Sequence, residues 1–207
     1  MSRHVPVFVI PDQLRITVFG GGPVALRKCR HFEGSRITII SETITNELKS
    51  LAHEVIRTKV DGDVTKYIED ADVVIAATDD PSLNSKICGQ AASAGILANS
   101  SHGGGTLLIP SMLRRPGYTV AVSSEGNAPA FPPYIVRELD GFLDERYDLT
   151  LELIVEMKRF AKETMPEMQA RREFLEGILT DGDVLGALSD GDIGLAREYA
   201  LRLGGIR

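Results

Sequence analysis

Three consecutive glycines join an apolar segment to a helix-forming one, and this junction limits the possible folds more than any other feature of the chain. Residues 15–19 (RITVF) are β-branched and apolar, as in a buried strand, and residues 24–31 carry good helix formers. Gly20, Gly22 and Ala25 satisfy the spacing G-x-G-x-x-G/A in this context. That spacing permits a tight turn, a close approach to a pyrophosphate and tight packing of helix on strand. It predicts a dinucleotide site, with a purely structural glycine turn as the alternative.

Further apolar segments alternate with helical ones after this junction. Strands are predicted at residues 36–40, 55–59, 71–77 and 97–99, with helices beginning near Thr45 and at Pro81. Because the segment 71–77 is continuously apolar, it is typical of a parallel sheet covered on both faces. We therefore predict an α/β fold, with an N-terminal Rossmann-type parallel sheet that has helices on both faces.

The pattern changes after Asn99. Gly103, Gly104 and Gly105 predict a flexible loop, residues 107–109 and 118–123 predict two short strands, and prolines precede a helix. From about residue 135 onward only helical patterning is found, broken at Met165-Pro166 and at two Asp-Gly pairs. We predict three regions: a Rossmann domain at 1–112, a connecting segment at 113–147 and a small helical domain at 148–207.

Composition excludes several classes of protein. The formal net charge of −6 argues against a broad surface for nucleic-acid phosphates, so no nucleic-acid partner is expected. No apolar run approaches the roughly 18 residues of a membrane span, and the N-terminus lacks a signal pattern, so a cytoplasmic protein with no membrane partner is expected. Cys29 and Cys88 are too few for a disulfide framework or a thiolate zinc site, and are expected to be reduced core thiols.

An acidic residue follows the second predicted strand. Glu42 lies about 20 residues after the first glycine, where a carboxylate can bind the ribose hydroxyls of NAD, and Ser41 could share that role. A 2′-phosphate would face Glu42 with no Arg or Lys beside it in the sequence. We therefore predict NAD as the cofactor rather than NADP.

Thr78 and Asp79 follow the fourth predicted strand. They lie at the carboxyl edge, where open α/β sheets bind ligands, and are therefore candidate cofactor contacts. The alternative is structural, because Asp79 or Asp80 would also suit the N-cap of the helix that begins at Pro81.

Four segments together resemble a known family. GGGPVALRK (20–28), ATDDPSLN (77–84), IPSMLRR (109–115) and VAVSSEGNAPA (120–130) are similar, in order, to the siroheme-synthase N-terminal module, the precorrin-2 dehydrogenase and sirohydrochlorin ferrochelatase family. The resemblance covers nearly the whole chain. No methyltransferase module follows, so a stand-alone form is expected.

The resemblance implies several properties of the site and the assembly. NAD would contact the backbone of Gly22, Pro23 and Val24, together with Glu42 and Thr43. The substrate would be a tetrapyrrole. The segment 113–147 would carry active-site residues and form a homodimer.

One position departs from the family pattern. Members commonly carry a catalytic Asp in a segment like N-V-V-D, whereas this chain has Asn99-Ser100-Ser101-His102. His102 occupies the place of the Asp and could accept a proton, because an imidazole can do so near neutral pH. It could also bind a divalent metal, and the alternative is a solvent-exposed loop histidine.

Basic and hydroxyl side chains further along the chain are candidate substrate contacts. Arg114, Arg115 and Arg137, with Lys28, could clamp the carboxylates of a tetrapyrrole. Ser123 and Ser124 fall at the family's active-site strand end, although neither has an obvious base beside it in the sequence.

The glycine motif and Glu42 predict that the protein binds NAD. The family resemblance implies an enzyme, an NAD-dependent oxidoreductase that converts precorrin-2 to sirohydrochlorin in siroheme biosynthesis. One alternative adds chelation of Fe²⁺ or another divalent metal as a second activity. An alternative of another class is a non-catalytic NAD-sensing module. The segment 109–130 favours the enzyme, because a sensor has no reason to match the family there.

Overall fold

The computed structural model describes residues 4–205. It divides into two compact units, the first ending at Ile109 and the second beginning at Pro110. Each unit has its own hydrophobic core. The predicted division into three regions remains a prediction.

The first unit alternates strands and helices. Its elements are β1 (Arg15–Phe19), α1 (Pro23–Cys29), β2 (Arg36–Ile40), α2 (Asn46–Leu51), β3 (Glu54–Ile56), α3 (Thr65–Ile68), β4 (Val73–Ala76), α4 (Pro81–Ser93) and β5 (Leu97–Ser100). The strands form one parallel sheet in the order β3-β2-β1-β4-β5. The chain reverses direction across the sheet at β1 and β4, so the loops after these two strands diverge and leave a crevice at the carboxyl edge.

The sheet separates two hydrophobic clusters. Val18 and Ile75 belong to one cluster, whereas their neighbours Phe19 and Ala76 belong to the other. Because successive side chains of a strand point to opposite faces, both faces of the sheet are buried. The predicted Rossmann-type α/β fold is therefore confirmed.

The predicted strands agree with the structure at β1 and β2, and one predicted strand is wrong. Residues 107–109 form no strand, and the strand of this region is β6 (Ser111–Arg114), which begins after Pro110. Leu107 donates a backbone hydrogen bond to Ala98 (2.8 Å), and the side chains of Leu107 and Ile109 pack against the first core. Leu107 and Ile109 are therefore partly buried against the core without strand pairing, and Leu108 between them is exposed.

The second unit combines a hairpin with helices. β6 pairs antiparallel with β7 (Thr119–Val122), and the chain continues through α5 (Phe131–Phe142), α6 (Glu145–Thr164), α7 (Met168–Thr180), α8 (Gly182–Ser189) and α9 (Ile193–Leu203). The side chains of Asp144, Asp181 and Asp192 cap α6, α8 and α9. The predicted breaks at Met165-Pro166 and at both Asp-Gly pairs are confirmed. Within residues 4–205, no helix combines the length and the apolar character that crossing a membrane requires.

Candidate functional site

A cleft of about 890 Å³ opens at the carboxyl edge of the parallel sheet. Its size falls within the range of roughly 300–1,000 Å³ typical of small-molecule sites. The segments that follow β1 to β5 line it, with the start of α1 and of α4: Gly20, Gly21, Gly22, Pro23, Val24, Arg27, Lys28, Ile40, Ser41, Glu42, Thr43, Thr58, Lys59, Val60, Ala77, Thr78, Asp79, Asp80, Leu83, Ser101 and His102. All the predicted cofactor-binding residues and His102 are therefore brought together in one cleft.

The three glycines of the turn meet different surroundings. A β-carbon on Gly20 would lie 2.3 Å from the carbonyl oxygen of Ala77, and one on Gly21 would lie 1.8 Å from that of Thr43. A β-carbon on Gly22 would meet no atom within 4 Å. Gly20 and Gly21 therefore let the backbone pack closely, while Gly22 leaves space in the cleft. The sequence motif did not single out Gly21, because its requirement comes from a distant residue.

The start of α1 presents backbone donors to this space. Gly22 is the N-cap and Pro23 the first helical residue, so Pro23 contributes no N–H, and the following N–H groups of Val24 and Ala25 have no acceptor in the preceding turn. The side chain of Ala25 is fully buried in the first core. These features fit a diphosphate held against the turn.

The segment after β2 carries the predicted ribose-binding residues. Ser41 is half-buried and donates its backbone N–H to Ile56 (3.2 Å), whereas Glu42 and Thr43 are exposed in the cleft. Lys59, which follows β3, lines the same cleft. The sequence placed no basic residue beside Glu42, and Lys59 was missed as a lining residue because it follows β3, the strand that neighbours β2 in the sheet.

The structure assigns different roles to the two aspartates after β4. Asp80 is the N-cap of α4, and its Oδ1 accepts from the backbone N–H groups of Ser82 (2.8 Å) and Leu83 (3.1 Å). Asp79 is exposed and lines the cleft. The capping alternative therefore holds for Asp80, and Asp79 remains a predicted cofactor contact together with Thr78.

Lys28 lines the cleft and is anchored to the end of β5. Its Nζ donates to Oδ1 of the buried Asn99 and to the backbone oxygen of Ser100 (3.4 Å). Burial lowers the pKa of the Lys28 ammonium, and the positive charge of Arg27 lowers it further. Arg27 also lines the cleft, so two cations of α1 contribute to its electrostatics. Sequence reasoning had not singled out Arg27.

His102 lies on the wall of the cleft, in the segment that follows β5. Its backbone N–H donates to the hydroxyl of Ser100 (3.0 Å), and its exposed ring lies against Ser101 and Asn84. Its roles as a catalytic base and as a metal ligand remain predictions. Among residues 4–205, no group of three or more His, Cys, Asp or Glu side chains is placed to hold a metal ion.

The other candidate substrate contacts belong to the second unit. Ser123 Oγ accepts from the backbone of Glu125 (3.0 Å), and Ser124 Oγ donates to the backbone oxygen of Ala128 (3.0 Å). Both hydroxyls thereby stabilise the loop that precedes α5. Their contact with a substrate remains a prediction.

The three predicted clamping arginines differ in their surroundings. Arg115 is partly buried, donates to the backbone oxygens of Asp140 (3.1 Å) and Leu143 (2.7 Å), and pairs with the Asp140 carboxylate (3.0 Å). Arg114 and Arg137 are exposed on β6 and α5. Arg115 thus joins the hairpin to the end of α5, a role that its position in the sequence did not indicate, and a substrate clamp remains a prediction for all three.

Comparison with known proteins adds information on family. A family model described as "Putative NAD(P)-binding" matches residues 7–104. A precorrin-2 dehydrogenase of Methanosarcina barkeri (strain Fusaro) is 28% identical over 210 residues, which cover 97% of this chain and 94% of the relative. A siroheme synthase of Ectopseudomonas mendocina is 31% identical over 185 residues, 85% of this chain and 39% of the relative. The chain thus spans about two-fifths of that siroheme synthase and nearly all of the Methanosarcina protein.

A solved structure supports the same assignment of fold. The structure of SirC, a precorrin-2 dehydrogenase, matches with a TM-score of 0.75 over 98% of this chain and 100% of that chain, at 22% sequence identity. The match spans both units, and the sequence relatives extend across the same regions. The chain is therefore similar over nearly its whole length to a precorrin-2 dehydrogenase and over most of its length to the matching part of siroheme synthases.

Proposed function

We propose that this protein is an NAD-dependent precorrin-2 dehydrogenase that forms sirohydrochlorin. The observation that carries the proposal is the cleft at the carboxyl edge of the sheet, where Gly22 leaves open space next to the start of α1 and Glu42 is exposed. The Methanosarcina relative, matched over nearly its full length, supports the reaction and the substrate class.

The residues present fit a dinucleotide along the cleft. The backbone of Gly22, Pro23 and Val24 would lie against the diphosphate, because the preceding glycine turn carries no side chains, and the N–H groups of Gly22 and Val24 would donate to it. Ser41, Glu42 and Thr43 would contact the adenosine ribose, whose hydroxyls can donate to a carboxylate. Thr78 and Asp79 lie toward the other end, after the neighbouring strand β4.

Dehydrogenation removes a hydride and a proton from the substrate, and NAD supplies the hydride acceptor when bound. The chain contributes the positions of the two reactants and the charges around them. Arg27 and Lys28 give one wall of the cleft a positive character suited to an acidic substrate. In the second unit, Arg114, Arg115, Arg137, Ser123 and Ser124 remain proposed substrate contacts.

Two alternative functions differ from the dehydrogenase in what they would do with these ligands. A chelatase would insert Fe²⁺ or a similar ion into sirohydrochlorin, and the metal would then be a substrate. A sensing module would bind NAD without consuming it.

The homodimer and the cytoplasmic location also remain predictions.

Anaerobic incubation with precorrin-2 and NAD tests the proposal. We expect NADH to form in step with the sirohydrochlorin spectrum, with no need for added metal. A further spectral change that requires divalent metal but not NAD would indicate chelation as well. Binding of NAD without formation of NADH would contradict the proposal and favour the sensing module. The variant Gly22→Val, which fills the space beside the turn, serves as a control. Turnover that depends on the cleft should be lost in this variant.

A further inference from the structure

Asn84 is a fully buried polar side chain that lies next to residues of the cleft wall. It lies in the first turns of α4 and contacts Thr78, Ser101 and His102, which all line the cleft. A buried amide contributes to stability only when its donors and acceptors are paired. The orientation of this amide therefore determines what its neighbours can do.

The contacts with Thr78 fix the orientation of the Asn84 amide. Its Oδ1 faces the backbone N–H of Thr78 (3.0 Å), which can only donate, and also accepts from the Thr78 hydroxyl (2.8 Å). Its Nδ2 faces the backbone oxygen of Thr78 (2.9 Å), which can only accept. In the reversed amide, Nδ2 would face the backbone N–H of Thr78, so that two donors would meet. Oδ1 would face the backbone oxygen of Thr78, so that two acceptors would meet.

This orientation directs a donor at His102. The second hydrogen of Asn84 Nδ2 points toward His102 Nδ1 (3.0 Å) and Ser101 Oγ (3.3 Å). Ser101 Oγ also lies 3.1 Å from the same ring nitrogen. Because the amide of Asn84 can only donate there, Nδ1 of His102 must accept. A neutral imidazole then carries its hydrogen on Nε2.

We propose that Asn84 is a positioning residue that holds His102 with its proton on Nε2, so that His102 donates a hydrogen bond to an acceptor oxygen of the ligand in the cleft. The proposal rests on the proposed function only for the identity of that ligand. In this arrangement Asn84 Nδ2 donates to the one lone pair of the neutral ring, at Nδ1, so His102 does not accept the substrate proton. That proton leaves to water.

The protonation of the ring can be measured without turnover. In protein labelled with ¹⁵N at histidine, the His102 signals are assigned by their loss in His102→Gln, and the two ring nitrogens are compared in the neutral form. We expect hydrogen on Nε2, and a change in the Nε2 signal when NAD or the tetrapyrrole binds. Hydrogen on Nδ1 in the wild-type protein would overturn the proposal, whether or not the protein proves to be a dehydrogenase.

Substitution at Asn84 tests its positioning role. In Asn84→Asp a carboxylate replaces the donor that faces Nδ1, and we expect the His102 hydrogen to move to Nδ1. A purely structural role would leave the position of the hydrogen unchanged, and that result would contradict the proposal. Because Asn84 is fully buried and this variant can fail to fold, the measurement on the wild-type protein stands independently.

Substitutions at His102 distinguish a role as a hydrogen-bond donor from a role as a catalytic base. The amide nitrogen of Gln can take the place of Nε2 as a donor, whereas Asp can only accept when ionised. We expect kcat/KM of His102→Gln to be about tenfold higher than that of His102→Asp. The loss of one hydrogen bond to a charged group is enough to cause a ratio of this size. A rate for His102→Asp equal to or above that of His102→Gln would overturn the proposal and favour a base. Separate titrations with NAD and substrate KM values show which ligand loses the contact.

Discussion

The carbonyl oxygen of Ala77 lies 2.3 Å from the point where a β-carbon on Gly20 would stand. Gly20 also has φ of +114°, in the region that favours glycine. The backbone just after β1 is thereby held against the residue that follows β4, and both residues line the cleft. Gly22, two residues later, has φ of −95° and open space around it.

This contrast predicts opposite effects of substitution at the two glycines. Gly20→Ala should lower the free energy of unfolding by roughly 1–3 kcal/mol or more, because it adds backbone strain and a steric clash. Gly22→Val should leave the melting temperature nearly unchanged and sharply weaken NAD binding, because its side chain fills the space for the diphosphate. Thermal unfolding and NAD titration of both variants measure these effects. Unaltered NAD affinity in Gly22→Val would mean that the turn has only a structural role.

Substitutions of the two aspartates after β4 should have different effects, one on stability and the other on nucleotide binding. Asp80→Ala removes the side-chain acceptor at the start of α4 and should cost about 1 kcal/mol of stability. Asp79→Ala, the matched control, should leave stability nearly unchanged and alter nucleotide affinity instead. Denaturant unfolding and NAD titration provide the two readouts. Equal losses of stability in both variants would contradict the assignment of the cap to Asp80.

The preference for NAD should depend on Glu42. Repulsion between its carboxylate and a 2′-phosphate should favour NAD over NADP by at least about tenfold, equivalent to ~1.4 kcal/mol. Glu42→Gln should reduce this ratio, since Lys59 in the same cleft remains available to attract the phosphate. The control Glu33→Gln makes the same charge change at an exposed position that is not among the cleft residues. Equal NAD and NADP titration curves for the wild-type protein would show the prediction to be wrong.

The two cysteines should react slowly in the folded protein. Burial raises the pKa of the Cys29 thiol to about 12, and burial also raises the pKa of Cys88. At pH 8 the thiolate of Cys29 should be roughly a thousandfold scarcer than in an exposed cysteine, because each pKa unit changes the ratio tenfold. A disulfide reagent should therefore label both thiols rapidly only after unfolding. Rapid labelling of the folded protein would contradict their burial.

The pKa of Cys29 also predicts a dependence of stability on pH. The unfolded thiol ionises near its ordinary value of 9.0, while the folded protein keeps the proton until about 12. The contribution of this group is complete below pH 9 and is lost as the pH rises toward 12. Unfolding free energies measured across that window should fall less in Cys29→Ala than in the wild-type protein. Identical slopes would show that Cys29 does not contribute.

Local sequence determined the first two strands, the glycine turn between sheet and helix, and the breaks between the C-terminal helices. These features depend on side-chain periodicity, glycine conformation and proline or aspartate at helix ends, which act over a few residues. The spacing from the glycine motif predicted Glu42 as a cofactor contact, the carboxyl-edge rule for parallel sheets predicted Asp79, and the family resemblance predicted His102 as a site residue. Residues 107–109 misled the prediction, because a segment that packs some of its side chains against a core has the same apolar composition as a strand.

Only the tertiary structure decided which partner each polar group meets. The need for glycine at position 21 comes from the carbonyl of Thr43, and the entry of Lys59 into the cleft comes from the pairing of β2 with β3. The donor that faces His102 belongs to Asn84, which is 18 positions away in the chain. Hydrogen bonds form only at a defined distance and direction, and the path of the chain in three dimensions sets both. The sequence therefore placed His102 in the site, and the fold determined which of its nitrogens carries the hydrogen.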